Sequence, residues 1–195
     1  MSKKCYRFFG GLLNTQEKWL NKMSEKGYRL VRTGKLLYEF EKCKPDEVTY
    51  CVEFIGEKSK ESSIDYANFL EDMGYKVFFK NINLNYSVGK VLCRPWAERG
   101  GRIPTNTTTF NREILIVEKA NDGKPFELHT SYDDKEKYYR NLRNPWLFLL
   151  LMFALYAVTK QSIIFGIFAL VSVIPGSIYQ IQIMKIRKEA KTQEW

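Results

Sequence analysis

Two stretches decide the fold: Trp19-Leu-Asn-Lys-Met-Ser-Glu-Lys-Gly27-Tyr-Arg-Leu30 and Tyr66-Ala-Asn-Phe-Leu-Glu-Asp-Met-Gly74-Tyr-Lys-Val77. Each reads as the end of an amphipathic helix stopped by glycine, followed by a Tyr-basic-aliphatic triplet that opens a strand. Further on, Cys43-Lys-Pro45 answers Cys93-Arg-Pro95. The glycines lie 47 residues apart and the cysteines 50, so the second copy is slightly longer. The implied class is α+β: a duplicated strand-helix-strand-strand unit, over about 4–45 and 48–95, forming a mostly antiparallel sheet with two helices on one face.

In the first copy Tyr6 and Phe8 alternate in a short strand. Asn14, with Glu17 three residues on, reads as a capping box. Trp19, Leu20 and Met23 form the apolar helix face, and strands are expected at Tyr28–Thr33 and Leu36–Lys42. In the second copy Val48, Tyr50, Val52 and Phe54 alternate. A helix from about Ser62 to Met73 carries Tyr66, Phe69, Leu70 and Met73 as a core stripe, and strands Tyr75–Lys80 and Tyr86–Leu92 close the unit. The opposite face of the sheet, with Arg29, Thr33, Glu39, Glu41, Thr49, Glu53, Lys76 and Lys80 among Val31, Leu37 and Phe78, reads as solvated; a docking surface is the alternative. Residues 96–131 read as an irregular loop, with a possible hairpin of Glu113–Lys119 and Pro125–His129 across Asn121-Asp-Gly123.

Beyond the domain, Asp133–Arg143 reads as a charged helix (132–144), and 145–184 as a two-helix transmembrane hairpin. Its apolar runs, Pro145–Thr159 and Ser162–Met184, are joined by a tight turn at Thr159–Ser162. One helix over both would be about 60 Å long, twice the hydrocarbon thickness of a bilayer. Asn144-Pro145 reads as a helix start. Lys135, Lys137, Arg140 and Arg143 precede the first run; Lys185, Arg187, Lys188 and Lys191 follow the second, within a basic tail at 185–195. The turn carries only Lys160, so the positive-inside rule places both ends in the cytosol against anionic lipid. Ser172 and Gly176 form a small-x-x-x-small pair suited to helix packing.

The net charge of +9 comes with acids and bases interleaved before Pro145, which argues against nucleic-acid binding. The N-terminal apolar core is too short and glycine-broken for a secretory leader. Four cysteines (Cys5, Cys43, Cys51, Cys93) without C-x-x-C spacing and a lone His129 suggest neither metal, redox nor cofactor chemistry. No convergent acid, base and nucleophile is legible, so no catalysis is expected. The Arg99-Gly-Gly-Arg102 stretch is not a phosphate loop, and a linker is the simpler reading.

Tyr6-Arg-Phe-Phe9, Glu17-Lys-Trp-Leu-Asn-Lys-Met-Ser-Glu-Lys-Gly-Tyr-Arg-Leu30, Tyr38-Glu-Phe-Glu41 and Asp72-Met-Gly-Tyr75 resemble a bacterial family known as domain of unknown function 2812. The resemblance spans roughly residues 4–95. It implies a membrane-associated accessory or regulatory protein, often encoded beside PadR-type transcription regulators in Gram-positive bacteria, and it carries over no site residues. The expected function is a membrane-tethered cytosolic interaction or sensing module with a protein partner at the membrane. The alternative is an accessory or immunity-type protein whose hairpin acts on a transporter.

Overall fold

The structure, a computed structural model, describes residues 2–56, 59–82, 84, 86–88, 91–93, 101–102, 113–126, 128 and 132–193. In chain order the elements are β1 (Lys3–Tyr6), α1 (Leu13–Glu25), β2 (Tyr28–Thr33), β3 (Leu37–Lys42), β4 (Val48–Phe54), α2 (Lys60–Asp72) and β5 (Lys76–Lys80). Three short strands follow, β6 (Tyr86–Val88), β7 (Val91–Cys93) and β8 (Gly101–Arg102), then β9 (Ile114–Ala120), α3 (Tyr132–Lys160) and α4 (Ile163–Gln193). The chain forms two compact units, one of residues 1–92 with 103–129 and one of 93–102 with 130–195.

The first unit is α+β, with two three-stranded antiparallel sheets ordered β1-β3-β2 and β4-β9-β5. Both have one topology: strand, helix, parallel strand, and a third strand inserted antiparallel between them. The duplication read from the glycine-ended helices is therefore repeated in strand order. The copies differ in the source of the central strand. In the first, β3 follows β2 directly through a turn. In the second the slot is filled by β9, from more than thirty residues downstream. The expected strand 86–92 is divided into β6 and β7 and does not fill it.

β9 takes the central place because Ile114, Leu115, Ile116 and Val117 are apolar without alternation, as a strand covered on both faces requires. All four are buried. This corrects the expected 113–129 hairpin: Pro125, Phe126 and Leu128 are in no strand, and His129 lies outside the described residues. Phe126 and Leu128 instead cover a cluster of Ile55, Leu70, Leu115 and Val117 beneath α2, with the Phe126 ring 5.4 Å from Tyr75.

Three local expectations are also corrected. Asn14 does not cap α1; the helix begins after Leu12 without a side-chain cap, behind Gly10 and Gly11 at φ +58° and +78°. α2 is capped by Ser59, whose Oγ accepts from Ser62 N–H at 3.1 Å. It turns Ser63, Ala67 and Leu70 inward, leaving Phe69 and Met73 exposed. Small residues at two of those positions let the helix lie close to the sheet. Finally, Glu53 and Lys80 are buried, not solvated, because both faces of β4-β9-β5 are covered.

In the second unit α3 and α4 form an antiparallel hairpin. α3 runs unbroken through Pro145, so Asn144 is interior and not a cap. Gln161 (φ +47°) ends the helix in the left-handed conformation, and Ser162 N–H donates to Ala157 O at 3.1 Å, the 6→1 bond of a Schellman turn. Along α4 the buried residues are Ala169, Ser172, Gly176, Tyr179, Ile183 and Ile186. Their alternating spacing of three and four is the seam of left-handed helix packing. Both helices are long and apolar enough to cross a membrane.

Gly27 and Gly74 end α1 and α2 at φ +73° and +86°. A Cβ on Gly27 would meet Cys43 O at 2.9 Å, whereas one on Gly74 would meet nothing within 4 Å. Gly74→Ala is expected to destabilise by about 1 kcal/mol from left-handed strain alone. Gly27→Ala should lose at least twice that, about 2 kcal/mol or more, since backbone adds to the obstruction. Urea unfolding of the two variants checks the ranking; equal losses would refute it.

Candidate functional site

Helix α1 carries two adjacent stripes. Leu13, Gln16, Leu20 and Met23 are buried. Beside them Glu17, Asn21 and Ser24, at i, i+4 and i+7, face the outer edge of β4. Asn21 Nδ2 donates to Tyr50 O at 2.9 Å while its Oδ1 accepts Tyr50 N–H at 2.7 Å, as a neighbouring strand would. Glu17 Oε2 accepts Val52 N–H at 2.9 Å, and Ser24 Oγ donates to Val48 O at 2.5 Å. Glu17 thus serves the edge of β4.

Behind that edge lies a charged network. The Glu118 carboxylate, 2% exposed, accepts from Arg29 Nε at 2.7 Å, Arg29 Nη2 at 2.6 Å and the Tyr50 hydroxyl at 2.8 Å. The Tyr50 oxygen accepts Leu30 N–H at 2.7 Å, next to the bulge that shifts the β2–β3 register between Leu30 and Arg32. The Glu118 hydrogen bond holds the Arg29 pKa above its ordinary value, and burial raises that of the Tyr50 phenol. These groups are fully engaged with one another, and the network is a structural joint between the sheets.

A third polar group is not so engaged. Arg7, Phe8, Phe9, Gly11, Gln16, Tyr38, Lys80, Asn81, Ile82 and Ile114 line a cavity of about 10 Å³. Gln16 is 2% exposed and Tyr38 fully buried, yet Gln16 Nε2 and the Tyr38 hydroxyl have no hydrogen-bond partner among the described residues. Lys80 Nζ donates to Gly34 O at 2.7 Å and Lys35 O at 2.8 Å, and lies 4.4 Å from the Tyr38 ring centroid. Burial lowers the Lys80 pKa to about 8. Burial raises the Tyr38 phenol, with Arg7 partly offsetting it. Sequence reading missed this cavity, because Gln16 looks like a surface helix residue and Lys80 like a solvated strand end. A polar Gln within the Leu13-Leu20-Met23 stripe was the available signal.

Of the residues singled out in the hairpin, Ser172 and Gly176 lie on the α3–α4 seam. Ser172 Oγ donates to Phe168 O at 2.9 Å, and a Cβ on Gly176 would sit 3.8 Å from Trp146 Cβ. Arg140 and Arg187 converge on Glu136, Arg187 through bonds of 2.7 and 3.0 Å. The Arg187 bond, aided by Arg140 and opposed by desolvation, depresses the Glu136 pKa to about 2. Arg143 donates to Gln180 at 2.7 Å and Asn144 at 2.9 Å. Lys135, Lys137, Lys185 and Lys188 lie on the charged ends of the same two helices, and the Lys191 side chain is outside the description. Cys5, Cys43 and Cys51 form no disulfide, and among the described residues no group of His, Cys, Asp or Glu could hold a metal.

Two split strand-helix-strand sheets in one unit and a long apolar helical hairpin in the other define an α+β protein with two helices of membrane-crossing length. The profile described as "Protein of unknown function (DUF2812)" matches residues 13–151, and the chain belongs to that family. The match begins with α1 and ends inside α3. No curated protein and no solved structure matches the chain.

Lys80 gives this region a pH signature. Its pKa is about 8 when folded against 10.5 for an ordinary lysine, so the unfolded chain binds more protons between those values. The penalty of burying the charge is complete below pH 8 and gone above pH 10.5. Relative to Lys80→Met, the native chain should gain stability across that window, by up to about 3 kcal/mol. Urea unfolding of both proteins from pH 7 to 10 checks this; parallel profiles would refute it.

Proposed function

We propose that the α3–α4 hairpin anchors the chain as a two-pass protein of the cytoplasmic membrane, with both chain ends cytosolic. The α+β unit then works there as a non-catalytic interaction or sensing module in a regulatory or accessory role. The observation that carries the reading is the outer surface of the hairpin. Only 6% and 22% of the two apolar windows are buried, whereas the core helices of a soluble protein would be mostly covered. Val158, Ile163 and Leu170 are 78%, 82% and 71% exposed, amid a belt of further Leu, Ile, Phe and Val side chains. Each large apolar side chain left in water forgoes about 1.5–3 kcal/mol, so a belt of this size calls for lipid.

The charges support the orientation. At 29 and 31 residues the helices are about 44–46 Å long, well beyond the roughly 30 Å hydrocarbon core. The surplus lies at the end where Lys135, Lys137, Arg140, Lys185, Arg187 and Lys188 gather, while the turn carries Lys160 alone. Glu136 neutralises part of that cluster, and the rest is suited to anionic lipid of the cytosolic leaflet. Tethering raises the concentration of the α+β unit near membrane partners without any added contact.

A groove of about 490 Å³ along the hairpin, lined by Ser172, Gly176 and Ser177 with Leu147 and Leu150, favours a second reading in which the hairpin itself engages a transporter. Exchange of the hairpin for an unrelated two-helix anchor separates the two: retained partner crosslinking supports the cytosolic module, and lost crosslinking the hairpin. Topology comes first. A cytosol-dependent reporter should be active when fused at the C-terminus and silent when inserted after Lys160, with the protein in the membrane fraction. Activity at both positions, or a soluble protein, would overturn the anchor.

A further inference from the structure

We propose that the cavity at the N-terminal turn of α1 is a binding site for a small inorganic anion of chloride size, held by Gln16, Tyr38, Lys80 and Arg7. Four observations converge on it. Two buried groups that donate hydrogen bonds, Gln16 Nε2 and the Tyr38 hydroxyl, lack partners among the described residues and line the same cavity. Two cationic side chains, Arg7 and Lys80, line it too, and among the described residues no Asp or Glu does. Glu113 precedes the lining residue Ile114, but its Oε2 accepts Ile82 N–H at 3.0 Å and it is not part of the wall. Two lining residues, Gly11 and Gln16, flank the first turn of a 13-residue helix that has no side-chain cap and no acidic residue in that turn. Such a helix end carries partial positive charge and favours an anion.

Counting donors separates an anion from a water. Lys80 spends two of its three N–H groups on Gly34 O and Lys35 O, leaving one. Arg7 lays its guanidinium 5.3 Å from the Trp19 ring centroid and 5.6 Å from that of Phe9, and a cation held over aromatic rings keeps N–H groups to donate. With the Gln16 amide and the Tyr38 hydroxyl, these donors outnumber the two lone pairs of one water. A halide accepts from all of them and offsets the buried ammonium charge. At about 10 Å³ the space has room for one small occupant and excludes bulky organic anions.

The test uses the full chain in detergent micelles, with chloride replaced by gluconate at constant ionic strength and unfolding followed by tryptophan fluorescence. Chloride and bromide should raise Tm saturably, by about 4 °C at ten times Kd, and gluconate should not. Tyr38→Phe, which removes one oxygen, and Gln16→Leu should abolish the halide-dependent shift whatever their basal Tm. Lys18→Ala, on the exposed side of α1, should retain it. Equal Tm in chloride and gluconate, or a shift that persists in both cavity variants, would overturn the proposal and leave the cavity to water.

Discussion

The first unit depends on one substitution of roles: a helix standing in for a strand. β4 pairs with β9 on one side only, and its other edge would present a row of unpaired N–H and C=O groups. Asn21 answers Tyr50 with one donor and one acceptor, as a strand residue would, while Glu17 and Ser24 take Val52 and Val48. Because these three residues recur at i, i+4 and i+7, the edge fixes the rotation of α1 about its axis. That rotation sends Leu13, Gln16, Leu20 and Met23 inward and sets the first turn of the helix at the polar cavity. The crossover of one sheet is thus the edge partner of the other.

The second constraint is the carboxylate of Glu118. A buried charge is tolerable only when paired and hydrogen-bonded, and Arg29 and Tyr50 supply three donors. They come from β2 and β4, so burying Glu118 on β9 requires both sheets in register. Tyr50 links the network to the β2 backbone by accepting Leu30 N–H, which also ties the bulge to the joint. Lys80 makes a comparable staple at the end of β5, holding the carbonyls of Gly34 and Lys35 in the β2–β3 turn. The duplicated sheets are therefore held by charged and polar contacts between unlike positions, a division of labour that the repeat itself does not contain.

That difference explains what the sequence made legible. Glycine-ended helices, Tyr-basic-aliphatic strand openings and the alternation from Val48 to Phe54 are local signals, and they locate α1, α2, β2, β4 and β5 to within two residues or so. The apolar hairpin is legible for the same reason, since its composition is contiguous. The partner of β9 is not local. Its run of four apolar residues fits any doubly covered strand, and nothing near it specifies β4 and β5. Once β9 is central, Glu53 and Lys80 become buried although alternation places them on a solvated face. The cavity was hidden by the same step, for Gln16, Tyr38 and Lys80 come from three elements that meet only through the completed sheets.

The hairpin follows a different rule along its length. In the proposed anchor, burial against a neighbour gains little from lipid where the outer surface is apolar, and close van der Waals packing holds the helices. There the α4 seam is built from Ala169, Ser172 and Gly176, with Gly176 against Trp146 and Phe168 5.6 Å from Phe153. Toward the charged end the seam changes to Tyr179, Ile183 and Ile186, facing an α3 segment whose buried residues are Tyr138, Tyr139 and Leu142, as hydrophobic burial in water favours. Glu136 clasps Arg187 at that same end, where the carboxylate stays ionised. The change from small to large seam residues thus coincides with the change from apolar to charged residues along the two helices, which supports the proposed anchor.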